Sequence, residues 1–182
     1  MGETLGLDLA SKKQRLRKDY AYRLDYRTRW ADNDMFHHLN NPIYGVLIDS
    51  IINDFLIKKC GYNTHSYPRT ALVASTYCDY FGSVAYPNML DVGLRVVKLG
   101  NNSVTYECGI FEEEQEQVKA VGGFTQILPC IVLRHLLTRN PFMEGVKRED
   151  NRSPPEGLEP HVRSALTRLM SGSGDQKQAP KL

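Results

Sequence analysis

Trp30-Ala31-Asp32-Asn33-Asp34-Met35-Phe36-His37-His38-Leu39-Asn40-Asn41-Pro42-Ile43-Tyr44 joins two different periodicities. Before it, Tyr22, Leu24, Tyr26, Thr28 and Trp30 alternate with Arg23, Asp25, Arg27 and Arg29. That is the pattern of a half-buried strand over residues 22–30. After it, Ile43, Val46, Leu47, Ile48, Ile51, Ile52, Phe55, Leu56 and Ile57 leave only a narrow polar stripe at Asp49, Ser50, Asn53, Asp54 and Lys58. The spacing predicts a helix from about Asn41 to Cys60, with Lys58 and Lys59 at its negative end and Gly61 just past it. Its apolar face is wider than that of a surface helix, so it is expected to be covered over most of its circumference.

The junction carries helix-start chemistry. Asn41 suits the N-cap and Pro42 the first helical position. The amides of Ile43 and Tyr44 would then be unpaired donors at the positive end of a helix dipole. Such an end binds an anion, or an oxygen that gains negative charge during a reaction. Asp34 falls in the loop just before it. A carboxylate beside a helix start that polarises an electrophile is what acyl transfer to water requires.

Four more strands are predicted downstream, over residues 70–81, 89–99, 103–111 and 118–128. Leu90, Val92, Leu94 and Val96 line one face of the second of these; Val104, Tyr106, Cys108 and Ile110 line the third. Gly100-Asn101-Asn102 is a turn signal, residues 112–117 an acidic hairpin tip, and Gly122-Gly123 a bulge or a close backbone approach. A strand, a long buried helix and four strands in meander give an α+β fold: an antiparallel sheet curled around one helix. One helix cannot cover both faces of such a sheet, which points to a second subunit.

Composition sets the limits. The 182 residues suffice for one domain with a real core. A formal charge of +2 is too mild to argue for a nucleic-acid partner. No apolar run approaches the roughly 18 residues of a membrane span, and no secretory signal follows Met1. Cys60, Cys78, Cys108 and Cys130 are far apart and read as reduced core thiols of an intracellular protein. The spacing of Asp32, Asp34, His37 and His38 matches no strong metal signature. Neither a metal nor another cofactor is expected. Lys12, Lys13, Arg15, Arg17 and Lys18 make residues 1–20 a basic arm, read as a solvated helical turn and only weakly as a phosphate contact.

The pattern Trp30-x-Asp32-x-Asp34-x-Phe36-His37-His38-Leu39-Asn40-Asn41-x-x-Tyr44 resembles the hotdog-fold acyl-CoA thioesterases, in the 4-hydroxybenzoyl-CoA thioesterase-like branch. Ala85-Tyr86-Pro87, Leu90, Gly93-Leu94-Arg95-Val96 and Leu99-Gly100 are similar to that family's next strand segment, and Tyr106-Glu107 and Phe111 to the one after. The resemblance implies a sheet wrapped around one long central helix. It implies a homodimer or homotetramer with active sites at subunit interfaces, and hydrolysis of an acyl-CoA thioester to free acid and CoA. It assigns Asp34 as general base or nucleophile. His38, Asn41 and Tyr44 match positions that bind substrate or orient the loop, and Asp32 reads as structural. The resemblance departs at His37, where the family has Gly, a residue suited to positive φ or close backbone approach. It departs again at residues 129–150, which read as an insertion within a thioesterase-like domain spanning 21–170.

Two rival functions follow from the same residues. Hotdog enoyl-CoA hydratases use an Asp and a His five residues apart, as Asp32 and His37 are, although Asp34 and Leu39 depart from their pattern. A non-catalytic acyl-CoA-binding protein would also tolerate His37 and the insertion. Residues 158–170 are predicted as an amphipathic helix through Val162, Ala165, Leu166 and Leu169, and 171–182 as a flexible tail. The terminal Pro180-Lys181-Leu182 resembles a relaxed Ser-Lys-Leu peroxisomal address, which sets a peroxisomal against a cytoplasmic location.

Overall fold

The computed structural model describes residues 9–62, 72–127 and 157–172. The expectations for residues 129–150, Cys130 and the terminal Pro180-Lys181-Leu182 lie outside these.

Strand β1 runs Tyr22–Arg27, helix α2 Asn41–Cys60, and strands β2 to β5 run Leu72–Tyr80, Met89–Leu99, Ser103–Glu112 and Val118–Ile127. A short helix α1, Leu9–Lys13, precedes them, and α3, Pro160–Ser171, follows. The five-stranded sheet is antiparallel throughout, in the order β1-β3-β4-β5-β2. This corrects the expected meander. Only β3, β4 and β5 follow one another as hairpins; β2 pairs with β5 at the far edge, and residues 81–88 carry the chain back to β3. Strand β1 also stops earlier than its alternation suggests. Thr28 is buried, but Trp30 sits in a 3-10 turn, Trp30–Asp32, and is 76% exposed. The cause is local: the Asp32 carboxylate accepts the Arg29 N–H at 2.7 Å and bends the chain there.

Helix α2 lies on the inner face of the sheet. Leu47, Ile48, Ile51, Ile52, Phe55 and Leu56 pack against Leu90, Val92, Leu94, Val96, Val104, Tyr106, Cys108 and Ile110 in one core. Each alternate position predicted to face inward on β3 and β4 does so. Gly122 allows the closest approach: a Cβ there would stand 2.6 Å from Ile48 Cδ1. The close-approach reading of this glycine pair therefore holds, while the irregularity in the β4–β5 pairing falls at Ile110/Phe111. Helix α3 lies beside α2 on β3 and buries Val162, Ala165, Leu166 and Leu169. Val46 and Ile57 of α2 are each 50% exposed, so within one chain the helix is not covered all round.

The arm is the largest correction. It is not solvated. Lys12 is 5% exposed and pairs with Asp79 of β2 at 2.5 Å, its ammonium 4.3 Å from the Tyr77 ring centroid. Arg15 meets the buried Glu107 of β4 at 2.9 Å, and Arg17 meets Asp91 of β3 at 3.2 Å. Tyr20 lies across Gly93 and Gly109, which face each other in the β3–β4 register. A Cβ at either would come within 2.6 Å of Tyr20 atoms. The ordered domain thus includes residues 9–20, which cover the outer face of the sheet.

Candidate active site

The stretch between β1 and α2 folds as a miniature hairpin. Asn33 and Leu39 form an antiparallel bridge. Inside it, the Asp34 N–H donates to the His38 carbonyl at 2.7 Å. At its base, the Asn40 N–H donates to the Asp32 carbonyl at 2.8 Å. The tip turns at His37, whose φ is +62°. The left-handed geometry that the Gly of the family pattern would supply is therefore kept, by a residue for which it costs strain.

Asp34 is half-buried in this hairpin. Its Oδ1 accepts the Phe36 N–H at 2.8 Å and the His38 N–H at 3.1 Å. Among the described residues its Oδ2 has no partner. One oxygen is thus fixed by backbone amides and the other is open to chemistry. Asp32 is its opposite, 1% exposed and fully engaged. It accepts hydrogen bonds from the Tyr26 hydroxyl at 2.8 Å, the Arg29 N–H at 2.7 Å, and Arg29 Nη2 at 2.8 Å. Burial raises its pKa, but the Arg29 and Tyr26 hydrogen bonds outweigh this and hold the carboxyl below the usual carboxylate range. The Asp32–His37 pair of the hydratase reading is not assembled: Asp32 is committed to Tyr26 and Arg29, and His37 is exposed at the tip.

The start of α2 is displaced by one residue from expectation. The N-cap is Asn40, with no side-chain cap, and Asn41 is the first helical residue. The Ile43 N–H is spent on the Asn40 carbonyl at 2.9 Å and Pro42 has no N–H, so the free donor lies two residues before Ile43. The Asn41 N–H has no acceptor among the described residues. Of the other motif residues, His38 orients the loop through its backbone while its imidazole is exposed. Tyr44 is turned into the core, 3% exposed, with its ring edge-on to Tyr80 at 5.0 Å. Burial, then the proximity of Cys78, Tyr80 and Glu112, pushes the Tyr44 hydroxyl up to about 12. It stays protonated at neutral pH, with its ring packed against Tyr80.

The sequence reading missed the wall behind the hairpin. The Leu39 N–H donates to the Val84 carbonyl at 2.7 Å, and Asn33 Oδ1 accepts the Tyr86 N–H at 3.0 Å. Asn88 anchors that wall. It exchanges backbone and hydroxyl bonds with Thr28, and its Nδ2 donates to Glu112 Oε1 at 2.6 Å and to the Ala85 carbonyl at 3.0 Å. In the sequence the segment was marked only by the resemblance of Ala85-Tyr86-Pro87 to the family pattern. Trp30, Met35 and Phe36, at 76%, 83% and 69% exposure, flank the hairpin as bare apolar surface.

The family profile described as the thioesterase superfamily matches residues 36–119, beginning two residues past Asp34. The PA5185 protein of Pseudomonas aeruginosa is 34% identical over 85% of this chain and 95% of its own, with a TM-score of 0.69. A Xanthomonas campestris protein provisionally described as an acyl-CoA thioesterase is 25% identical over 59% of this chain and 92% of its own, with a TM-score of 0.54. The DHNA-CoA thioesterase of Staphylococcus aureus shares the fold at 19% identity, covering 58% of this chain and 72% of its own, with a TM-score of 0.53. No curated protein matches the chain.

Proposed function

Because the chain belongs to the thioesterase superfamily and is a thioester hydrolase, we propose that its substrate is an acyl-CoA and that Asp34 activates the attack on the thioester carbonyl. The free Oδ2 of Asp34, on a carboxylate whose other oxygen is held by two amides, carries the reading. As general base, Oδ2 takes a proton from water while the water oxygen bonds to the carbonyl carbon. The carbonyl oxygen gains charge near the start of α2, where the dipole and the Asn41 N–H favour it. The C–S bond then breaks, CoA thiolate leaves and is protonated, and the free acid remains. As nucleophile, Oδ2 would itself bond to that carbon, expel the thiolate and form a mixed anhydride for water to cleave. Hydrolysis of a panel of acyl-CoA lengths, followed by thiol release, tests both. Asp34→Asn should lower turnover at least about 10²-fold with the circular dichroism unchanged. Near-normal turnover by the folded variant would remove Asp34 from the mechanism. A single turnover in ¹⁸O-water that leaves label in Asp34 identifies the anhydride route, with water cleaving the anhydride at the aspartyl carbon.

The same reading includes self-association. Among the described residues β2 is an edge strand, and Trp30, Met35, Phe36, Val46 and Ile57 are exposed apolar groups around the hairpin and along α2. A second copy would cover them and complete a CoA site. A monomer at micromolar concentration in sedimentation would contradict this. Location in peroxisomes or cytoplasm turns on the terminal Pro180-Lys181-Leu182, and a fluorescent fusion ahead of the chain, with and without that tripeptide, decides it.

A further inference from the structure

We propose that Asp32 is a positioning residue for the reaction: it fixes the Asp34 hairpin against the start of α2. The proposal rests on the reading of Asp34 as the reacting carboxylate.

The hairpin base is the pair Asp32 and Asn40, joined by the 2.8 Å bond from the Asn40 N–H to the Asp32 carbonyl. Asn40 is also the N-cap of α2. That backbone bond links the hairpin base directly to the helix start, beside the bonds that hold Leu39 and Asn33 to residues 84 and 86. What holds Asp32 in turn is its carboxylate, tied to β1 through Tyr26 and to the bend through Arg29. The chain of fixation runs from β1 through the Asp32 side chain, then its main chain, to Asn40 and α2, with Asp34 two residues inside the loop.

A general structural role would look different. Asp32 is absent from the apolar cores, and its hydrogen bonds all go to residues 26–40. Its removal should loosen the hairpin without opening the sheet. Asparagine keeps the shape but replaces an acceptor oxygen with a donor nitrogen. That nitrogen would face the Arg29 guanidinium and N–H or the Tyr26 hydroxyl, which are donors to Asp32 now. The mismatch falls at the one corner of the hairpin base that β1 supports.

The test uses the full-length chain with Asp32→Asn, Tyr26→Phe and Asp34→Asn. For Asp32→Asn, kcat should fall about 10- to 100-fold with KM within about twofold, the scale on which a misplaced group costs rate. Hydrogen exchange should accelerate at the amides of Asp34, Phe36, His38 and Asn40 while those of β3, β4 and β5 keep their protection. Tyr26→Phe removes one bond of the set and should give a smaller loss in the same direction, which keeps the idea testable if Asp32→Asn folds poorly. Unchanged kcat in either folded variant, or exchange that accelerates across the sheet, overturns the proposal. If Asp34→Asn keeps turnover, the Asp34 reading fails first. That outcome is recognisable because it does not involve Asp32 at all.

Discussion

Beneath α2 and α3 the sheet presents Leu90, Val92, Leu94, Val96 and their neighbours on β4 and β5, a mainly apolar layer that also buries the Tyr106 hydroxyl. On the other side, under residues 9–20, it presents Asp79, Asp91 and Glu107 to Lys12, Arg17 and Arg15, with Tyr20, Phe111, Val118 and Val121 packed between them. The inner face is held by area, which is non-directional and forgiving of small changes in shape. The outer face depends on matched charges. Glu107 is 0% exposed, and its Oε2 has no hydrogen-bond partner among the described residues. A buried ion pair adds little over an apolar pair of the same shape, but breaking one half is costly. The two faces should therefore fail in different ways.

The inner face should show the larger single loss. Ile51 is 0% exposed at the centre of the core. Ile51→Ala should cost about 4 kcal/mol in denaturant unfolding, from lost transfer energy plus the cavity left behind. No polar change elsewhere should restore it. On the outer face, Arg15→Ala leaves the Glu107 carboxylate buried without its nearest cation; Arg95 stands 3.8 Å away. The loss should be about 3 kcal/mol. Adding Glu107→Gln should recover at least half of it, because no stranded charge then remains. A double variant as unstable as Arg15→Ala alone would mean that the outer face is held by packing, as the inner one is.

The same division governs what the sequence revealed. Helix α2 and strands β2 to β5 were legible to within about two residues, because their periods of 3.6 and 2 are written by the apolar layer that they share. The outer face left no such trace. Lys12, Arg15 and Arg17 find their carboxylates 67, 92 and 74 residues away, and a basic cluster read alone looks solvated. Gly93 and Gly109 carried no sign of a shared role in the sequence; only the β3–β4 register makes them one slot for Tyr20. The place of β2 at the far edge was hidden as well, since a strand carries no mark of its neighbour. In the site, Asp34 was legible as part of a motif and Asp32 as its structural companion. Asn88 and Glu112 were not, because their role is to hold a wall that exists only after folding. Tyr44, which matches a position that binds substrate or orients the loop, is buried, a placement that depends on which way the first turn of α2 faces.

The smallest expected effect concerns the one residue where sequence and geometry disagree openly. His37 holds φ at +62° at the hairpin tip, where the related pattern has Gly. Left-handed backbone costs an L-residue about 1–2 kcal/mol, and glycine almost nothing. Glycine, however, gives back about 0.4–1 kcal/mol through the extra freedom of the unfolded chain. The two nearly cancel, so His37→Gly should change stability by no more than about 1 kcal/mol and leave turnover close to that of the parent. His37→Val tests the geometry from the other side. A β-branched residue is a genuine outlier at positive φ, so this variant should lose about 1–2 kcal/mol or force the tip open. Opening the tip would break the His38 and Phe36 amide bonds to Asp34 Oδ1 and lower turnover with it. If valine is tolerated as well as glycine, the tip does not need its left-handed turn to hold Asp34. If glycine alone abolishes turnover, the exposed imidazole of His37 takes part in the reaction, and the departure from the family pattern at this position is a gain of function.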